Sequence, residues 1–247
     1  MTLSNGSQDK LFMAYQEKIQ QFQFDDAVAS VFSDMIKRSV PGYENIISMI
    51  GLFTQAHARQ GTNCYDLGCS LGASTLAILG NLEHKDCLVI GVDNSSAMTE
   101  RCQNNLGQFY DSTKFRICCE DIQNTKLENA SVIVLNFTLQ FVEKAERDAL
   151  MKKIYQALVP VGVLILSEKI LFDDPIKNQL FTDLHHGFKK AQGYSNLEIS
   201  QKRSALENTL IPEPTGDHLQ RLSNAGFTQA DLWFQCLNFA SFFAIKS

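Results

Sequence analysis

From residue 63 onward, short apolar runs alternate with amphipathic stretches, and this alternation leaves few folds open to the chain. Strand-like runs occupy residues 63–67, 88–93, 115–119, 132–136 and 163–167. Helical periodicity fills residues 73–82, 95–109 and 144–158 between them. Strands alternating with amphipathic helices build βαβ units, and these stack into a parallel sheet covered on both faces. The tail breaks the rhythm. After a helix near residues 217–225, the runs "DLWFQCL" and "FASFFAIK" are joined through Asn238 alone, a hairpin signal. The expected fold is a doubly wound α/β sheet of seven strands, six parallel and the C-terminal one antiparallel. Residues 1–60 read as N-terminal helices, and residues 173–214 as a helical insertion before the last two strands. An insertion there tends to cover the carboxyl ends of the strands, where such sheets bind ligands. All 247 residues are expected to form one domain.

The first strand ends in "YDLGCSLGAST", which fits two kinds of chemistry. Gly68, Ser70 and Gly72 spell the Gly-x-Ser-x-Gly of a hydrolase's nucleophile elbow, with Asp173 and His218 available to complete a triad. That elbow follows a central strand with others already laid down before it, whereas only helices precede Tyr65. No HGGG-like segment supplies an oxyanion hole either. The other reading is a glycine turn against a nucleotide-like ligand, which calls for an acid about 20 residues on to hold ribose hydroxyls. "LVIGVDNS" supplies Asp93 and Asn94 at the end of strand two. "CCEDI" supplies Asp121 at the end of strand three, and "VLNFT" supplies Asn136 at the end of strand four. Each alone reads as a helix cap. Together, at one sheet edge, they read as a site for a nucleoside-containing ligand. NAD and S-adenosyl-L-methionine both suit it, although an NAD loop usually keeps glycine where Ser70 stands.

Composition narrows the partners. Net charge is −5 with 22 Lys and Arg against 27 Asp and Glu, which argues against direct nucleic-acid binding. The opening "MTLSNGSQDK" has no apolar core, and no run approaches the ~18 residues of a membrane span. Seven cysteines without CxxC or ordered Cys/His spacing read as reduced, buried thiols of a cytoplasmic protein without a metal. Cys118 and Cys119, adjacent on a strand, point to opposite faces. His185 and His186, adjacent on a helix, diverge by about 100° and make a poor joint metal site.

Acids on strands two and three with one antiparallel C-terminal strand resemble the class I methyltransferases from about Tyr43 to the end. "LVPVGVLIL" departs from them, since Val161 takes a position where they show glycine. Within that superfamily "KRSVPGYENIISMIG", "VLNFTLQF", "YSNLEISQKRSALEN" and "LWFQCLNFASFFAIK" resemble the carboxy-S-adenosyl-L-methionine synthases. The resemblance implies an enzyme that takes S-adenosyl-L-methionine and prephenate and yields carboxy-S-adenosyl-L-methionine and phenylpyruvate. It implies a homodimer without a metal, whose product serves a tRNA carboxymethyltransferase acting on wobble uridine. It further implies ligand contacts at Tyr43, Gly68, Cys69, Ser70, Asp93, Asn94, Asp121, Ile122, Asn136 and Arg203. Arg203 is the catalytic candidate, because a carboxylated methyl needs a bidentate cation that ordinary methyl transfer does not. Two alternatives stand: a conventional methyltransferase acting on RNA or a small acid, and a non-catalytic carrier of the same ligand.

Overall fold

The computed structural model describes residues 7–82 and 85–247. The first six residues of the polar opening stretch lie outside the described residues. Two helices lead, α1 (Asp26–Ser39) and α2 (Tyr43–His57). Asp25 caps α1 by accepting from the Val28 N–H at 2.9 Å, and Gly42, at φ +80°, turns the chain into α2. A Cβ at Gly42 would lie 2.3 Å from the Phe234 ring, so glycine is required there.

The alternation then forms as expected. Strands β1 (Asn63–Leu67), β2 (Leu88–Asp93), β3 (Phe115–Cys119), β4 (Ala130–Asn136) and β5 (Leu158–Leu171) run parallel. Helices α3 (Ala73–Leu79), α4 (Ser96–Gly107) and α5 (Lys144–Ala157) lie between strands. The insertion holds α6 (Pro175–Ala191), α7 (Asn196–Leu206) and a two-residue strand β6 (Glu213–Pro214), followed by α8 (Thr215–Ala225). The hairpin β7 (Gln229–Cys236) and β8 (Phe239–Ile245) closes the chain. The order is β3-β2-β1-β4-β5-β8-β7, with β8 antiparallel to both neighbours. Six of these seven strands therefore point the same way.

Three details differ from the sequence expectation. Residues 7–25, expected among the N-terminal helices, form turns and irregular chain, and the first helix begins at Asp26. β6 adds an eighth strand, paired to the end of β5, and two residues are too short to carry a period. β5 is 14 residues long because it continues through Val161, which is held at φ +62°. That left-handed conformation favours glycine, so the departure at Val161 carries backbone strain.

Alternation on β4 shows how the sheet is buried. Val132 and Val134 pack with Ile78, Cys102 and Leu106 on one face, while Ile133 and Leu135 pack with Leu150, Ile154 and Leu222 on the other. Burying both faces fixes the register, since a slip by one residue would exchange the two sets. A third cluster joins α1 to α7 through Val31, Met35, Met98 and Ala205. That cluster holds the insertion over the carboxyl ends of the strands. The cysteines follow the sheet only in part: Cys64, Cys69, Cys87 and Cys102 are buried, but Cys119 is exposed, because β3 is an edge strand.

Candidate functional site

A cavity of about 850 Å³ opens at the carboxyl ends of β1, β2 and β4. Its floor is the turn after β1. Gly68 and Cys69 donate to the Val92 carbonyl at 2.7 and 2.9 Å, which draws the turn against β2. Gly68 stands at φ +87°, and a Cβ there would fall 2.1 Å from Thr138 Oγ1. Ser70 holds a left-handed φ of +48°, uncommon for a residue with a side chain. Its N–H donates to Asp93 Oδ2 at 2.9 Å, and the Ser95 N–H donates to Asp93 Oδ1 at 3.0 Å. Burial pushes the Asp93 carboxyl up, and these two backbone donors pull it back. Each carboxylate oxygen retains a free acceptor position beyond these two bonds.

Further round the edge, the Asn94 amide donates to Asp121 Oδ1 at 2.9 Å, with Ile122 buried behind it. Asn136 donates to Ser74 Oγ at 3.2 Å, while its buried Oδ1 has no partner among the described residues. A buried amide oxygen left alone is costly and fits a ligand N–H. Tyr43, the first residue of α2, lies against Phe137, with ring centroids 6.4 Å apart. Burial, then the nearby Asp66, raises its hydroxyl well above the usual tyrosine range. Asp66, fully buried beneath the turn, accepts from Thr75 Oγ1 at 2.6 Å and is pushed up to about 7 by burial.

The structure thus brings Tyr43, Gly68, Cys69, Ser70, Asp93, Asn94, Asp121, Ile122 and Asn136 around one cavity. Arg203 is different. It is exposed on α7 and does not line the cavity, although its charge reaches Lys169 at the cavity's far end and His186 outside the lining. The hydrolase arrangement does not form. Ser70 lines the cavity, but Asp173 and His218 do not, and His218 is a buried residue of α8 whose ring nitrogens have no hydrogen-bond partner among the described residues. His185 is buried, with Nε2 2.8 Å from the Ser39 carbonyl oxygen and its ring edge-on to Phe239, while His186 is half-buried. Burial pushes His185 down to about 3. Among the described residues no group of three or more His, Cys, Asp or Glu could hold a metal, and no helix is long and apolar enough to cross a membrane.

Sequence reading missed the opposite wall. Lys169 at the end of β5, Lys189 on α6 and Lys202 on α7 all line the cavity. Lysines in helices read as solvated, and no spacing in the sequence links these three.

Comparison with known proteins decides the family. A carboxy-S-adenosyl-L-methionine synthase of Shewanella oneidensis is 53% identical over 242 residues, covering 98% of this chain and 100% of that protein. The chain belongs to the carboxy-S-adenosyl-L-methionine synthase family. A synthase of this family from Aliivibrio salmonicida is 52% identical over 238 residues, covering 96% of this chain and 98% of its own length. Family members are S-adenosyl-L-methionine-dependent transferases, and residues 65–162 match the model of a methyltransferase domain. The fold agrees with that assignment. Human N-acetylserotonin methyltransferase in complex with S-adenosyl-L-methionine superposes with TM-score 0.59 at 14% identity, over 90% of this chain and 55% of that one. The magnesium protoporphyrin IX methyltransferase of Synechocystis with bound S-adenosylhomocysteine gives 0.59 at 14%, over 86% and 87%.

Proposed function

We propose that this chain makes carboxy-S-adenosyl-L-methionine from S-adenosyl-L-methionine and prephenate, releasing phenylpyruvate and water. The observation that carries the reading is the charge layout of the cavity. Asp93 and Asp121 stand at one end, and Lys169, Lys189 and Lys202 at the other. Methyl transfer at a sulfonium, with one α-carboxylate on the donor, has little use for three lysines. A reaction that carries further carboxylates does have a use for them.

The Asp93 carboxylate accepts from the ribose hydroxyls, and Asp121 with the Ile122 backbone reads the adenine edge. Gly68, Cys69 and Ser70 present backbone to the amino-acid portion, beside Asn136 and under the Tyr43 ring. Arg203 pairs with the new carboxylate, either from its own α7 or from the second copy in a homodimer. In the balance, prephenate loses carbon dioxide and hydroxide as its ring becomes aromatic. One C–H bond of the sulfonium methyl breaks, its proton joins the hydroxide as water, and the carbon gains the carbon dioxide. Carbon dioxide must not escape and water must not intrude, which the roof of α6 and α7 serves. The product would then supply a cytoplasmic tRNA carboxymethyltransferase modifying wobble uridine.

The second reading, conventional methyl transfer, is favoured by the match of residues 65–162 to a general methyltransferase domain. Incubating the protein with S-adenosyl-L-methionine and prephenate and weighing the ligand by native mass spectrometry separates the two. A ligand heavier by one carboxyl, formed only with prephenate, is expected. Unchanged S-adenosyl-L-methionine, with methyl transfer to RNA or a small acid, defeats the proposal.

A further inference from the structure

The charged groups lining the cavity do not cancel. At the rim, Lys37 pairs with Glu44 at 3.1 Å. Lys202, buried, lies 3.7 Å from Asp9 and donates to Ser39 Oγ at 3.1 Å. On the far side Asp93 accepts from the Ser70 and Ser95 N–H groups, and Asp121 from the Asn94 amide. Lys169 and Lys189 are left over, with no hydrogen bond or ion pair at either ammonium among the described residues. Lys189 is nearly buried, at 9% exposure. A buried ammonium without a partner is costly, and proteins seldom keep one without a use.

These lysines sit close to the reaction rim. Asn136, the last residue of β4, pairs in register with Ser167 of β5, so Lys169 lies two residues beyond that rim. On the neighbouring strand β8, Phe239 pairs in register with Lys169, and its ring stacks edge-on with Phe137 at 5.9 Å and with His185 at 4.9 Å. Lys189 follows His185 by one helical turn on α6. Lys202 comes in from α7. The three ammonium groups feel one another: burial and then its lysine neighbours push Lys189 down to about 7, and burial pushes Lys202 to about 8. Asp9, His185 and His186 are the other titratable groups facing Lys189.

We propose that Lys169, Lys189 and Lys202 form a cradle that binds the two carboxylates of a small dicarboxylate co-substrate at the β5 end of the cavity. The sulfonium centre of the other substrate is repelled by such a wall, and a single α-carboxylate on that substrate would occupy only part of it, so the wall suits a dianionic ligand better. Two uncompensated ammonium groups, plus one half-compensated by Asp9, match two anionic charges better than one. This inference rests on the synthase reading for its co-substrate, and it assigns residues that reading leaves open.

Calorimetric titration of prephenate into protein loaded with S-adenosyl-L-methionine tests it. Lys189→Met keeps an unbranched chain of similar length in a nearly buried place, and half-buried Lys169→Gln serves as an independent second variant. Each is expected to weaken prephenate about tenfold or more, while affinity for S-adenosyl-L-methionine changes less than about twofold. Lys189→Arg is expected to restore part of the loss. Wild-type prephenate affinity in both folded variants overturns the cradle. Product analysis separates this from the fate of the synthase reading. Carboxylated product with unchanged prephenate KM in both variants removes the cradle and keeps the synthase. Lysine-dependent prephenate binding without carboxylated product keeps the cradle and removes the synthase.

Discussion

The backbone N–H of Ser70 donates to Asp93 Oδ2 at 2.9 Å, so the acid that ends β2 also fixes the turn that ends β1. One carboxylate thereby shapes two edges of the cavity. Asp93→Ala is expected to cost on the order of 1.5–3 kcal/mol of S-adenosyl-L-methionine affinity, since a charged acceptor is lost. Asp93→Asn retains an acceptor and is expected to lose less. Unchanged affinity for Asp93→Ala by calorimetry would mean that the ribose hydroxyls are held elsewhere.

Arg203 is expected to discriminate between product and substrate. Arg203→Ala should weaken carboxy-S-adenosyl-L-methionine by roughly a hundredfold while leaving S-adenosyl-L-methionine nearly untouched, because only the former brings a partner for a guanidinium. Arg203→Lys should recover part, as a point charge cannot reproduce a planar fork. The measurement is the ratio of the two dissociation constants. Equal weakening of both ligands would reduce Arg203 to a shaping role.

Asp66 predicts a pH dependence of stability. Its folded pKa is raised from 3.8 to about 7 by burial, so between those values the unfolded chain releases a proton that the folded chain keeps. Stability from this group is therefore full below about pH 4 and falls as pH rises toward 7. Its second oxygen, Oδ1, has no partner among the described residues, as suits a carboxylic acid kept neutral. Asp66→Asn should flatten that part of the stability–pH curve in chemical denaturation. A slope unaltered by the substitution would place the titration on another group.

The roof has its own ionic anchor. Glu213 accepts from Arg147 at 2.5 Å and from Arg221 at 3.0 Å, and Arg147 is fully buried. Removing one member of a buried pair strands the other charge, so Glu213→Gln should destabilise the fold by about 3–5 kcal/mol. Arg147→Met with Glu213→Gln should cost less than the sum of the singles, which a double-mutant denaturation cycle measures.

The sheet was legible because its signal is redundant. Residues 63–67, 88–93 and 115–119 match β1, β2 and β3 residue for residue, since apolar runs bounded by turn residues leave little freedom. The polar edge around the cavity was legible for the same reason, as strand ends carry polar residues that the sheet aligns. The roof was not. Lys189 and Lys202 look like solvated helix residues until α1, α6 and α7 pack together, and that packing is set by Val31, Met35 and Ala205 rather than by any charge pattern. β6 and the long reach of β5 escaped for a related reason: pairing partners, not local periodicity, define them.

Asp9 accepts a hydrogen bond from the Tyr194 hydroxyl, and the Gln16 N–H donates to Gln201 Oε1, each contact joining residues 185 positions apart. Pairings so distant in sequence carry a large loop-closure entropy. During synthesis the strand edge carrying Gly68, Asp93 and Asn136 emerges well before the segment that ties Asp9 down. That sheet edge is therefore synthesised ahead of its roof, and the cavity closes only once the chain's first and last thirds have met.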